Sequence, residues 1–408
     1  MRGRVVLPDA VVDDGIVVIA GDRIVWAGPA DEAPEGLPEP VAVSGSGAAG
    51  LTVLPGLVDL HCHGGGGESF PDVVDAAQAR TAVTEHLRHG TTTLVASLVT
   101  APAATLLERT ALLAGLADAG ELGGIHLEGP FLSRARCGAQ NPDHMIEGSA
   151  WLVRQVAEAA RGHLVTMTVA PETPGVLGSG GAVAALVAAG AVPSFGHTDA
   201  EAEVTETALE EAVAALAGPG SRSPRPTVTH LFNGMPPLHH RDPGPVAACL
   251  GAAARGSAVV ELVADGVHLA PATVRAVFDL VGADSIALVT DAMAAAGMPD
   301  GSYVLGPVAV RVKDGVARLA DGGAIAGGTA HLLDVVRETV RAGVSLVAAV
   351  RAASTTPAGV LGRTDVGAVA EGGLADLVLV DDDLRPLRVL RRGRWVDGVG
   401  AASAPSPS

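Results

Sequence analysis

The residues of this chain that could carry chemistry fall at the ends of apolar segments. His61 and His63 end one such segment, in PGLVDLHCHGGGG, and Glu128 ends another, in GIHLEGPF. His197 follows in VPSFGHTDA and His230 in TVTHLFNGM. Imidazole and carboxylate are ligands that Zn, Fe, Mn and Co accept in proteins, and no cysteine is needed among them. The pattern therefore predicts a site for a divalent metal ion.

The His-x-His pair illustrates why the pattern counts for more than any one residue. Two histidines at i and i+2 of a strand point to the same face, and the glycines at 64–67 allow the backbone close to a ligand. Taken alone, the pair is equally well explained as a surface or capped pair. Likewise, Glu128 alone could cap the following helix, His197 alone could be the N-terminal residue of a helix, and His230 alone could be a hydrogen-bonded core histidine. Repetition from one segment end to the next favours the metal site.

Asp291, in ALVTDAM, adds a group that can move protons. A metal ion with an open coordination position lowers the pKa of water toward neutrality, and a carboxylate beside it can take a proton and later return it to a leaving amine. Hydrolysis of an amide requires both events. Asp265 and His268, in ADGVHL, follow the preceding apolar segment. The alternative for Asp291 is a helix N-cap.

The elements that must position these residues alternate between strands and helices. Helical stretches at 74–89, 103–119, 150–161, 182–189, 200–217, 245–254 and 271–281 each precede an apolar strand, and a further strand is predicted at 53–60. Such alternation is typical of a parallel sheet, and eight strands is the number of a (β/α)8 TIM-type barrel. Active sites of this fold lie at the carboxyl ends of the strands, where the candidate residues fall.

The two chain ends differ from the middle, because both are built of short strands and tight turns. We predict that residues 1–52 and 374–400 form one small β-sandwich domain, with strands that include 41–43, and that residues 53–373 form the barrel. A Gly-rich hairpin insertion is predicted near 300–325, and the tail at 401–408 is expected to be disordered.

Charge and cysteine usage exclude several classes of function. A formal net charge of −18 is unfavourable for binding nucleic acid or an anionic membrane, although a local basic pocket could still bind an anionic substrate. Three widely spaced cysteines do not suggest a disulfide framework. The start of the chain lacks the apolar core of a signal peptide, and no apolar run has the length of a spanning helix. We expect a cytoplasmic protein.

Six motifs in order now point to a family. HCHGGGG, HLEGPF, GHTDA, THLFNGMPPLHHRDPG, ADGVHL and LVTDAM resemble the N-acetylglucosamine-6-phosphate deacetylases of the amidohydrolase superfamily, from Pro55 to about Gly328. The resemblance implies hydrolysis of N-acetylglucosamine 6-phosphate to glucosamine 6-phosphate and acetate, with one or two divalent ions. Glu128, His197 and His230 match the ligands of the main ion. His61 and His63 match a pair that binds a second ion in some members.

The resemblance also assigns roles in substrate binding. Asp291 matches the general acid/base, and Asn233, Gly234 and His268 match groups that contact the phosphosugar. Gly327, Gly328 and Thr329 fall in the segment that lines the sugar pocket. Arg241 matches an arginine that reaches the phosphate from the neighbouring subunit, which implies a homodimer. The sequence departs from the family at Gln140, in RCGAQNP beside Cys137, where a histidine is usual; slower turnover or a shifted pH profile is our hypothesis.

Three alternatives can be compared with the residues. An amidohydrolase that bridges two metals with a carboxylated lysine is excluded, because the single lysine, Lys313, lies in the hairpin insertion. A deacetylase of a related phosphosugar, such as N-acetylgalactosamine 6-phosphate, differs by one hydroxyl of the substrate and stays open. A non-catalytic sugar-phosphate sensor is disfavoured, because Asp291 is present together with all the metal ligands.

Overall fold

The computed structural model describes residues 1–36, 51–321 and 323–399. Its strands, in chain order, are β1 (Arg2–Val6), β2 (Val11–Ala20), β3 (Arg23–Pro29), β4 (Thr52–Pro55), β5 (Leu57–Cys62), β6 (Gly64–Gly65), β7 (Glu68–Ser69), β8 (Thr91–Leu98), β9 (Gly124–Glu128), β10 (Leu164–Val169), β11 (Val192–Phe195), β12 (Thr227–Val228), β13 (Val259–Leu262), β14 (Ile286–Leu288), β15 (Gly301–Leu305), β16 (Val308–Lys313), β17 (Val316–Leu319), β18 (Leu377–Val380), β19 (Pro386–Arg391) and β20 (Arg394–Trp395).

The helices alternate with the central strands. They are α1 (Ala76–Arg88), α2 (Ala103–Asp118), α3 (Ala150–Ala160), α4 (Ala182–Ala188), α5 (Ala202–Leu216), α6 (Gly244–Ala254), α7 (Pro271–Val281), α8 (Leu332–Arg341), α9 (Leu346–Ala352) and α10 (Thr355–Val360). Short 3-10 turns lie at Ala30–Glu32, Arg134–Arg136, Pro142–His144 and Ala283–Ser285. Within the described ranges, no helix has both the length and the apolar character needed to cross a membrane.

Eight strands form a parallel barrel. Their order is β14-β13-β12-β11-β10-β9-β8-β5, and every adjacent pair is parallel. A parallel bridge between Cys62 and Ala292 joins the end of β5 to the segment after β14 and closes the ring. The barrel strands are buried throughout, as expected where helices cover the outside. The predicted (β/α)8 barrel is confirmed.

The barrel interior has its own apolar core, which holds the strands in register below the site. Val58 and Leu60 of β5 lie in one buried cluster with Val259 of β13 and with Ala358 and Val360 of α10. Helix α10 therefore seals the amino-terminal end of the barrel, and polar side chains are concentrated at the opposite end.

Strands from both ends of the chain build a separate β unit. The order of its seven strands is β20-β19-β18-β4-β1-β2-β3. Strand β4 is central to this arrangement, because it pairs parallel with β1 and antiparallel with β18. The first predicted barrel strand, residues 53–60, is corrected here: the chain leaves β4 at Pro55 and enters the barrel with β5 at Leu57. A side chain at Gly56 would lie 2.2 Å from Thr92 Oγ1, so the turn requires glycine.

A three-stranded antiparallel sheet, β15-β16-β17, lies over the carboxyl end of the barrel. Its buried residues Leu305, Val310 and Val312 pack on Val99 and Met293. This sheet occupies the predicted hairpin insertion. The strand predicted at 41–43 and the tail at 401–408 lie outside the described residues.

Candidate metal centre and active site

The candidate residues meet at the carboxyl end of the barrel. His61 and Glu128 lie on β5 and β9, and His197, His230 and Asp291 lie in the turns directly after β11, β12 and β14. These last three residues have positive φ values of 47°, 28° and 47°. Non-glycine residues rarely adopt this conformation, and when they do it often marks a functional site. These turns bring His197 and His230 within 2.8 Å of Glu128, and Asp291 within 3.4 Å of His61.

Glu128, His197 and His230 form a first donor set. Glu128 Oε1 lies 2.8 Å from His197 Nε2 and 2.8 Å from His230 Nε2, and the two Nε2 atoms are 3.2 Å apart. A tetrahedral ion with ligands at 2.0–2.2 Å separates neighbouring donors by about 3.3 Å. The first set is close to this spacing, and all three side chains are buried.

His61, His63 and Asp291 form a second donor set beside the first. The Nε2 atoms of the two histidines are 3.0 Å apart, and they lie 3.4 and 3.3 Å from Asp291 Oδ1. Glu128 connects the two sets, because its other oxygen, Oε2, lies 3.2 Å from His63 Nε2. The arrangement offers positions for one ion or for two.

Hydrogen bonds made by Nδ1 of His63 and of His197 show why a cation fits between the donor sets. His197 Nδ1 donates to the carbonyl of Arg136 over 2.7 Å, and His63 Nδ1 donates to the carbonyl of Ser97 over 3.2 Å. In a neutral imidazole the Nε2 atom is then a lone-pair acceptor. Each of these lone pairs faces an oxygen of Glu128. Acceptor against acceptor is favourable only with positive charge between them, and a divalent ion supplies that charge.

The charges of the site are consistent with the same conclusion. Burial by itself would lower the pKa of His61, but the carboxylates of Asp291, Glu261 and Glu128 outweigh burial and raise this pKa to about 10. Burial would raise the pKa of Asp291, but His61 and His63 outweigh burial and hold it well below its usual range. The site therefore keeps its carboxylate ionised and stabilises added positive charge.

A cavity of about 300 Å³ opens over the two donor sets. Of the residues predicted to bind substrate, it is lined by Gln140, Asn233, Gly234 and His268, with Gly327 from the segment after the hairpin sheet. His268 is oriented by Asp265, whose Oδ2 accepts from His268 Nδ1 over 2.8 Å. Leu305, Ala324 and Ile325 add apolar groups to the lining. Gly234 has φ +62°, and a Cβ there would lie 2.9 Å from His197 Nδ1.

Gln140 has a contact that the sequence did not reveal. Its Nε2 donates to Glu128 Oε2, and its Oε1 accepts from the backbone N–H of Thr100 over 2.8 Å. The second contact fixes which end of the amide faces the site. Gln140 thus restrains a candidate metal ligand, in addition to lining the cavity.

Three further residues predicted to bind substrate are not among those that line this cavity. Thr329 Oγ1 donates to the carbonyl of Gly315 at the hairpin sheet. Gly328 is held through its N–H, which donates to the carbonyl of Asp291 over 2.7 Å. Arg241 is exposed on the loop before α6, outside the cavity of its own chain.

Two buried polar residues beneath the site were missed by sequence reasoning. Glu261 Oε2 accepts from His61 Nδ1 over 3.1 Å. The His126 ring forms hydrogen bonds through Nδ1 to Ser97 Oγ (2.9 Å) and through Nε2 to Thr168 Oγ1 (2.8 Å). A charged residue inside the apolar run VVELV was the available signal for Glu261.

The fold and site together define a metal-dependent hydrolase barrel, and comparisons with known proteins agree. The model of the amidohydrolase family matches residues 52–400, and the chain belongs to this family. A solved N-acetyl-D-glucosamine-6-phosphate deacetylase from Mycobacterium smegmatis, a point mutant in complex with N-acetyl-D-glucosamine-6-phosphate, is 41% identical, with a TM-score of 0.85 over 96% of this chain and 97% of that chain.

Curated relatives carry two names that differ in the sugar. N-acetylglucosamine-6-phosphate deacetylase from Lysinibacillus sphaericus is 33% identical over 85% of this chain and 86% of its own length. N-acetylgalactosamine-6-phosphate deacetylase from Escherichia coli O157:H7 is 32% identical over 88% of this chain and 90% of its own length.

Proposed function

We propose that this protein hydrolyses N-acetyl-D-glucosamine 6-phosphate to D-glucosamine 6-phosphate and acetate in a metal-dependent reaction. The observation that carries the proposal is the convergence of Glu128, His197, His230 and Asp291 in one cavity. The 41% identical structure with this phosphosugar bound supports the choice of substrate. A place in amino-sugar catabolism or recycling follows from the products.

The donor atoms fit one or two divalent ions. Glu128, His197 and His230 would hold the first ion, and His61 and His63, with Asp291 beside them, would hold a second. Zn, Fe, Mn and Co all accept such imidazole and carboxylate ligands. Bound there, the ion supplies Lewis-acid activation of water and of the acetyl carbonyl.

Asp291 is the group that moves the proton. Its lowered pKa keeps it ionised, as a base must be at the start of the reaction. It takes a proton as the water oxygen attacks the acetyl carbon, and it then delivers this proton to the amide nitrogen as the C–N bond breaks. The products are acetate and the protonated amine, which carries both protons of the attacking water in addition to the amide hydrogen, and Asp291 is again ionised.

Residues around the cavity orient the sugar. Asn233 and His268 offer polar groups at its wall, and Gly234 leaves room beside His197. Gln140 provides an amide in the loop where the family usually has histidine. It can hold Glu128 or donate to the substrate, but it cannot carry the positive charge of a histidine.

A second copy of the chain completes the phosphate site in this proposal. The cavity lining, within the described part of the chain, contains neither arginine nor lysine, although the substrate carries a phosphate. Arg241 is exposed on its own chain and presents the planar fork that suits phosphate. A homodimer in which Arg241 of one protomer reaches the cavity of the other supplies the missing cation.

We place the reaction in the cytoplasm, since Cys62, Cys137 and Cys249 are all free thiols. The runner-up substrate is N-acetylgalactosamine 6-phosphate, and the 32% identical relative of that name supports it. A non-catalytic sensor is the third candidate, and the intact acid/base position is evidence against it.

The deciding experiment measures acetate release by metal-replete protein. N-acetylglucosamine 6-phosphate, its galactosamine epimer and unphosphorylated N-acetylglucosamine are compared before and after chelation. Chelator-sensitive release from the first substrate, restored by added metal, supports the proposal. Faster release from the epimer would favour the runner-up, and no release from any sugar would refute the deacetylase assignment.

A further inference from the structure

Glu261 is a buried carboxylate for which the proposed reaction has no direct use. It lies on β13 inside the barrel, is 1% exposed, and does not line the substrate cavity. Burying a carboxylate is costly unless it is paired. The side-chain contacts of Glu261 therefore indicate its role in the barrel.

Both contacts of Glu261 lead to metal-site residues. Glu261 Oε2 lies 3.1 Å from His61 Nδ1, and it accepts from the backbone N–H of His230 over 3.2 Å. One carboxylate oxygen thus orients a ring of the second donor set and restrains the strained turn that carries a ligand of the first.

The four histidines of the two donor sets differ in the group that their Nδ1 atoms face. His63 and His197 donate to backbone carbonyls. Nδ1 of His230 is buried and has no partner within the described residues. Of these four rings, His61 is the one whose Nδ1 faces a carboxylate. A carboxylate behind a metal-binding histidine fixes its tautomer and increases the basicity of the ligating nitrogen.

We propose that Glu261 is a positioning residue that makes the second metal position, formed by His61, His63 and Asp291, able to retain an ion. The inference rests on the proposed metal dependence, but not on the identity of the sugar. The second set contributes one carboxylate of its own, and it shares Glu128 with the first set. The negative charge of Glu261 adds to the attraction for a second divalent ion at this end of the barrel.

The test counts metal ions in the full-length protein without substrate. Glu261→Gln keeps the shape of the side chain and an oxygen that accepts from His61, but removes the charge. We expect the wild type to bind two Co²⁺ or Zn²⁺ per chain in equilibrium titrations. In E261Q the Kd of the second ion should rise by about 10- to 100-fold, while the Kd of the first changes little.

Glu172→Gln is the matched control. Glu172 accepts from Thr198 Oγ1 and the N–H of Asp199, close to His197, without touching a donor ring. E172Q should bind both ions like the wild type. Glu261→Asp keeps the charge but shortens the side chain, and should weaken the second ion less than E261Q does. It serves as the test variant if E261Q does not fold.

Three outcomes would overturn the inference. These are an unchanged second Kd in E261Q, equal weakening of both ions, and a wild type that binds one ion even at saturating metal. Metal counts are independent of turnover. A protein that shows the expected titrations but releases no acetate would therefore refute the proposed function and leave the role of Glu261 standing.

Discussion

Replacing Asp291 with asparagine tests the central step of the proposed reaction. General acid–base catalysis contributes about 100- to 10,000-fold to rate, and we expect kcat to fall by at least the lower value. That fall corresponds to about 3 kcal/mol or more of lost transition-state stabilisation. Asparagine removes the proton-accepting charge and keeps the size of the side chain.

The structure indicates that this substitution leaves the fold and the first donor set intact. Asp291 has φ 47°, a conformation that asparagine tolerates at least as well as aspartate. Its backbone N–H donates to the carbonyl of His61 over 2.9 Å, a bond that does not depend on the side chain. Asp291 is not a member of the first donor set, so D291N should retain at least one ion.

The assay combines steady-state acetate release with metal analysis and with calorimetric binding of N-acetylglucosamine 6-phosphate. Asp199→Asn is the control, because Asp199 is a carboxylate near the cavity that pairs with Arg136. We expect D199N to retain turnover, and D291N to bind substrate and metal without turning over. A D291N enzyme within tenfold of the wild-type kcat, with its metal bound, would refute the acid/base role.

Four further predictions concern other parts of the chain. Arg241→Ala should raise KM for the phosphosugar by about 10- to 100-fold, as expected for one or two lost charge-assisted hydrogen bonds, and an unchanged KM would contradict phosphate binding by Arg241. Chelation should abolish turnover, with recovery on metal addition. Gln140→His should raise kcat, and identical kinetics would count against the hypothesis that Gln140 slows turnover. Burial would lower the pKa of His331, but Asp334 and Glu85 outweigh burial and raise it. Its stabilising effect should be complete below the unfolded pKa of about 6.5 and be lost as pH rises through the folded value. Thermal unfolding of the wild type and His331→Asn should therefore converge at alkaline pH.

The barrel and the position of the site were predictable because both depend on local patterns. Alternating apolar segments specify a parallel barrel, and carboxyl strand ends meet at one face, so His197, His230 and Asp291 had to converge. Glu261 could not be predicted to reach His61, because the two are 200 residues apart and no local spacing encodes their contact. The orientation of the Gln140 amide depends on the N–H of Thr100, which belongs to another loop.

The boundary between β4 and β5 was missed for a related reason. Residues 53–60 are mostly apolar, and although Pro55-Gly56 marks a turn, only pairing with distant strands shows that the first half joins β1 and β18 while the second half joins the barrel. The family resemblance assigns Thr329 to the segment that lines the sugar pocket, and the bond of its hydroxyl to a carbonyl of the hairpin sheet is a contact that no local pattern encodes.

The sheet built from both chain ends has a consequence for chains that are still being synthesised. Strand β4 pairs with β1, which is synthesised shortly before it, but its other edge is completed by β18, which is synthesised after the entire barrel. Until then Thr52–Pro55 presents an unpaired edge, which is a template for association with other chains. Nascent chains that stall or are cleaved before β18 should therefore aggregate even when their barrel segments are complete.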